Sequence, residues 1–89
     1  MGNYTMKLIP IKANMTELIH GWYTTLFSYQ TPVATVFHYG NDIIAYRTDK
    51  KWSNTTTRHI KQWLRKHPEI VEIRQQPQEY FDNLVSGVK

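Results

Sequence analysis

"IIAYRTDKKWSNTTTRHIKQWLRKHP", residues 43–68, changes its period in the middle. The first six residues have strand composition, β-branched and aromatic, and follow the turn signal Gly40-Asn41-Asp42. After Lys51 the period becomes helical. Ile60, Trp63, Leu64 and His67 fall at i, i+3, i+4 and i+7, one stripe able to pack, while Arg58, Lys61 and Arg65 form a second stripe about a third of a turn away. Pro68 cannot continue a helix and disfavours helical torsions at His67, so it sets the stop.

The three threonines sit where this helix begins. Helix starts leave backbone N–H groups without partners, and the oxygen of Ser53, Asn54 or Thr55 can accept from them. Thr56 and Thr57 then occupy the first turn, where β-branching costs little. The same geometry offers free N–H donors and partial positive charge, lined by hydroxyls and flanked by Lys50, Lys51 and Arg58, which suits a phosphate.

Working upstream, "WYTTLFSYQ" alternates Tyr23, Thr25, Phe27 and Tyr29 against Trp22, Thr24, Leu26 and Ser28. Gln30, Thr31 and Pro32 interrupt it. "VATVFHY" alternates again as far as Gly40, and with "IIAYRT" it predicts a three-stranded meander. "MKLIPIK" reads as an edge strand because Pro10 has no ladder donor. "ANMTELIHG" fits either one capped helical turn or the second half of a bulged hairpin. Downstream, "IVEIR" is a short strand, and Pro77 opens a last helix whose Tyr80, Phe81, Leu84 and Val85 can pack before Gly87 ends it.

The fold class expected is α+β over a single domain, residues 1–89: a small antiparallel sheet of about four strands, a β-meander, with the basic helix packed on one face and a short C-terminal helix. The second face of the sheet is expected to be partly exposed.

Composition narrows the chemistry. With no cysteine there is neither a disulfide framework nor a thiolate zinc site, which fits a reducing compartment. Mean hydropathy is −0.56, the apolar runs are too short to span a bilayer, and no charged and apolar leader pattern opens the chain. The expected location is therefore the cytoplasm, and the N-x-T sequences at Asn3, Asn14 and Asn54 carry no weight. His20, His38, His59 and His67 lack metal-ligand spacing, so neither metal nor cofactor is expected. No nucleophile elbow or carboxylate cluster accompanies His59, and no catalytic residue is assigned.

The net charge of +4 is unevenly distributed. Residues 47–68 hold seven basic side chains against Asp49 alone, whereas residues 1–46 balance to zero. Such a block attracts phosphates or acidic protein surfaces. Candidate nucleic-acid contacts are Lys50, Lys51, Trp52, Thr56, Arg58, Lys61, Arg65 and Lys66, with Trp52 either a base-stacking surface or a hydrophobic staple at the helix start.

Tyr29, Thr31, Val33 and Ala34, followed by Trp52, Ser53, Thr55, Thr56, Arg58 and His59, resemble a pattern in small uncharacterised proteins of tailed bacteriophages and related mobile elements. There a Tyr-x-Thr-x-Val-Ala strand precedes an aromatic residue, Ser, any residue, Thr-Thr, any residue, then Arg-His opening a helix. Trp52 stands where that pattern has Tyr. The resemblance covers the central third to half of the chain and implies a phage or mobile-element origin without naming an activity. Together these observations predict a non-enzymatic accessory protein of the bacterial cytoplasm that binds nucleic acid through its basic helix. The alternative is a module that engages a host or phage protein, such as a defence or replication enzyme, through an edge strand or the aromatic sheet face. No membrane partner is expected, and a homodimer through a sheet edge is a further option.

Overall fold

The computed structural model describes residues 6–86. Its elements are β1 (Met6–Lys12), β2 (Met15–His20), β3 (Tyr23–Ser28), β4 (Thr31–Tyr39), β5 (Asp42–Thr48), α1 (Asn54–Arg65), β6 (Ile70–Gln76) and α2 (Gln78–Ser86). The α+β class holds, but the sheet is larger than expected: six strands, in the order β1-β2-β3-β4-β5-β6. It is also mixed. The first five strands form an antiparallel meander, and α1 carries the chain across to β6, which lies parallel to β5. "ANMTELIHG" is the second half of a hairpin, with a register shift between Pro10 and Lys12 on β1. The expected helix stop at Gly87, and Asn3, lie outside the described residues.

Four two-residue connections build the meander, and each requires one left-handed residue. Gly21 and Gly40 provide it without a steric cost, and Asn14 tolerates it at φ 65°. The fourth is Tyr29, at φ 60°. A bulky side chain there is uncommon, and it corrects the expectation that Tyr29 continues the β3 strand face: the turn is Tyr29-Gln30, and Thr31 and Pro32 already belong to β4. Pro32 is tolerated because β4 and β5 pair only from Ala34 onward, and its carbonyl instead accepts from Gln78 Nε2 at 2.7 Å.

Alternation sends Met15, Leu26, Ala34, Val36, Ile43 and Ala45 to one face, where Ile60 and Trp63 of α1 close the core. Val33 joins them as the extra residue of a β4 bulge, between the pairs Leu26–Ala34 and Phe27–Pro32. Trp63 is fully enclosed, and truncating such a residue to Ala typically costs about 3–5 kcal/mol. On the opposite face Leu18, Thr25, Thr35 and Tyr46 form a row across four strands, and the Thr25 and Thr35 hydroxyls meet at 2.9 Å. This second face is partly exposed, as expected, at Leu8, Trp22 and Tyr39, and partly covered by the C-terminal helix. α2 lies over β4, its Phe81 is fully buried, and Tyr80 packs its ring against Tyr46.

Candidate functional site

The start of α1 is fixed by hydroxyl chemistry. Ser53 is the N-cap, with extended torsions, and its side chain accepts from Thr56 N–H at 3.1 Å. Thr57 hydroxyl turns back to Ser53 carbonyl at 3.0 Å. Thr56 points inward. Its Oγ1 lies 3.0 Å from Ser28 Oγ, which in turn lies 2.8 Å from His59 Nδ1. With Nδ1 as acceptor, Thr56 donates to Ser28 and Ser28 donates to His59, so one buried chain of polar groups ties the helix to the end of β3. Burial, helped by the positive charges of Lys12 and Arg58, pushes the His59 pKa down and so favours the neutral ring. Ser28 is 1% exposed and lines a cleft together with Tyr29, Trp52 and Ser53.

Trp52 separates two clefts around this start. One, about 230 Å³, lies among Tyr29, Thr31, Trp52 and Ser53. The other, about 240 Å³, opens where the parallel strands β5 and β6 end and α1 begins, among Arg47, Lys50, Lys51, Trp52, Thr57 and Gln75. Trp52, the residue before the N-cap, is 42% exposed, and the position a staple would pair it with is Thr57. Trp52 Nε1 donates to Gln78 Oε1 at 3.0 Å, Gln78 Nε2 is shared between Pro32 carbonyl and Asp82, and Lys50 Nζ stands 4.0 Å from the centre of the Trp52 ring. The ring is thus held between α2 and a cation with much of its surface in solvent.

The remaining predicted contacts divide along the helix. Arg58, Lys61 and Arg65 are exposed on the outer side of α1, and Lys66 is exposed at its C-cap. Twelve residues of α-helix make this ridge about 18 Å long. Of the eight candidate residues, Lys50, Lys51, Trp52 and Thr56 line the cleft beside Arg47; the other four lie along the ridge. Thr56 contributes to the cleft wall, but its hydroxyl is committed to Ser28. Two residues escaped the site prediction. Arg47 was read as part of a strand, and its Nε is buried without a hydrogen-bond partner among the described residues. Tyr29 was read as a strand residue, yet it sits at positive φ beside the cleft, with its ring 6.0 Å from that of His59. The two-residue spacing of strand runs around Tyr29-Gln30 was the available signal.

Among the described residues no group of His, Asp or Glu gathers as metal ligands, and no helix is long and apolar enough to cross a membrane. An α+β chain built on a meander and one parallel crossover, with a polar latch under a basic helix, belongs to a family defined by its sequence. Residues 6–83 match the model of the Family of unknown function (DUF8033), and the chain is a member of that family. Neither the curated proteins nor the solved structures offer a match.

Proposed function

We propose that the protein is a small accessory protein that binds nucleic acid along α1 and the cleft at its start. The observation that carries this reading is the absence of neutralising charge. α1 contains no acidic residue, and none of the seven basic side chains of residues 47–68 makes an ion pair among the described residues. A helix that is merely solvated commonly interleaves Glu with Lys and gains from pairs at i, i+4. Here Lys50, Lys51, Arg58, Lys61, Arg65 and Lys66 are all exposed, with Arg47 behind the first two. Such a line suits successive phosphates, and the exposed rings of Trp52 and Tyr29 offer aromatic surface on which bases can stack. The sequence resemblance supports a phage or mobile-element setting, and the lack of cysteine supports a reducing compartment such as the bacterial cytoplasm. The reading involves no catalytic step.

Fluorescence anisotropy of labelled single- and double-stranded DNA and RNA, from low to physiological salt, tests it. Five or six phosphate contacts give a log–log salt slope of about −3.5 to −5, and Arg58→Glu with Arg65→Glu makes the slope shallower by about 2. Absence of binding at low salt overturns the proposal.

A second reading has its own observation. At the far end of the sheet Trp22 and Tyr39 are exposed, with ring centres 5.5 Å apart and both in contact with Phe37. An aromatic patch of this kind suits a host or phage protein, and such an interface would tolerate salt and loss of the α1 charges.

A further inference from the structure

The two edges of the sheet differ in what they offer a new strand. β1 carries Pro10, which has no N–H, a register shift beside it, and Lys7 and Lys12. These are the devices by which proteins discourage edge pairing. β6 has neither proline nor lysine, no described strand pairs with its outer side, and its Val71 and Ile73 are 62% and 53% exposed. A register shift at its start, between the pairs Ile43–Ile70 and Ile44–Glu72, leaves the regular part from Glu72 to Gln76.

The backbone of that part has a defined direction. Gln76 carbonyl accepts Asp49 N–H at 2.9 Å, so it faces β5. Groups alternate along a strand, so Arg74 and Glu72 also turn theirs towards β5, whereas Ile73 and Gln75 turn theirs outward. Any strand added to this edge must therefore hydrogen-bond to Ile73 and Gln75.

We propose that β6 pairs antiparallel with β6 of a second copy of the chain, about a two-fold axis at Ile73, to make one continuous sheet across two protomers. In this register Ile73 faces Ile73 of the second copy as a hydrogen-bonded pair. Glu72 then faces Arg74 of the other copy, and Arg74 faces its Glu72, as pairs without hydrogen bonds between them, the positions where side chains approach most closely. Within one chain Glu72 and Arg74 already lie on the same side and share an ion pair, with Nη2 to Oε1 at 3.1 Å, so the seam assembles four alternating charges. The sequence Glu-Ile-Arg is thus its own complement. A slip by two residues in either direction sets Glu72 against Glu72 or Arg74 against Arg74 and loses that match. Because the axis is perpendicular to the sheet, both α1 helices lie on the same side of the joined sheet. The seam is independent of the nucleic-acid reading, since none of its residues belongs to the basic block of residues 47–68.

Sedimentation equilibrium over a concentration series, without nucleic acid, tests the seam. The unaltered protein shows a reversible monomer–dimer equilibrium. Glu72→Arg and Arg74→Glu each place like charges opposite one another and raise the dissociation constant by about tenfold or more. An equimolar mixture of the two variants restores dimer, because each arginine of one now faces a glutamate of the other; two misfolded proteins could not rescue each other in this way. A monomer throughout, a dimer indifferent to both substitutions, or a mixture no better than its components overturns the proposal.

Discussion

The inner and outer sides of α1 carry polar residues from the same short stretch, and they treat them in opposite ways. On the inner side Thr56 and His59 are buried and joined through Ser28, with Ser53 holding the first turn. On the outer side Arg58, Lys61 and Arg65 form no ion pair among the described residues. The conspicuous Thr-Thr-x-Arg-His stretch is thereby split in two. Its threonine and histidine are accounted for by fastening a helix to a strand end. Its arginine is not, and with Lys61 and Arg65 it is what the proposed nucleic-acid contact rests on. A buried polar chain of this kind is favourable only while every member is satisfied, whereas exposed cations contribute little to folding.

The largest effect expected from testing this contrast comes from Ser28→Ala. It removes the shared partner of Thr56 and His59 and leaves two polar groups buried, at a cost of about 1–3 kcal/mol. Arg58→Ala or Arg65→Ala should change stability by no more than about 0.5 kcal/mol. Urea denaturation measures both, and anisotropy on the same proteins should reverse the ranking, with the arginine variants losing affinity and folded Ser28→Ala retaining it. If Ser28→Ala costs no more than the arginine changes, the inner side is not a latch.

Acidification should act on the inner side alone. The His59 pKa is depressed by burial first, then by Lys12 and Arg58; that of His67 is depressed chiefly by burial, partly opposed by Glu69 and Glu17. For a group depressed on folding, the stabilising contribution is complete above the unfolded value of about 6.5 and is lost as pH falls from there through the folded pKa. Stability should therefore drop between neutral pH and mildly acid pH, before the ordinary carboxylate range is reached. His59→Asn removes one of the two groups and should flatten the slope in that window, as read by urea midpoints across pH. An unchanged slope would mean that His59 titrates freely in the folded protein.

How much of this could be read from the sequence depends on the range of the interaction. α1 was legible because its signals are local: a cap among Ser53, Asn54 and Thr55, of which the structure uses Ser53, the stripe through Ile60 and Trp63, and Pro68 beyond the stop. The meander from Tyr23 to Thr48 was legible from its alternation. The strand count and the mixed sheet were not, because the pairing of β6 with β5 requires knowing that the helix crosses back over the sheet, and "IVEIR" alone does not disclose its neighbour. The partner of Thr56 was equally hidden, since Ser28 lies 28 residues away and looks in the sequence like one more polar strand residue. Six of the eight proposed contact residues sit on exposed basic positions, where charge pattern suffices; Thr56 is the one that tertiary contact redirects inward.

Tyr29 joins the two sides and gives a small but discriminating change in stability. Its backbone is left-handed, its N–H donates to Asn14 carbonyl at 2.7 Å, and its half-exposed ring lies between His59 and the cleft bounded by Trp52. A non-glycine residue in that conformation costs about 1–2 kcal/mol, of which about 0.5–1 is returned because glycine loses more freedom on folding. Tyr29→Gly should therefore stabilise the fold by up to about 1 kcal/mol while weakening nucleic-acid binding. Gain in stability with unchanged binding would assign the ring to neither side. Loss of stability would place it with the latch, its packing on His59 outweighing the relief of strain. Tyr29→Phe separates ring from hydroxyl: it keeps the strain and the aromatic face, so binding by stacking should survive it, whereas binding through the hydroxyl should not.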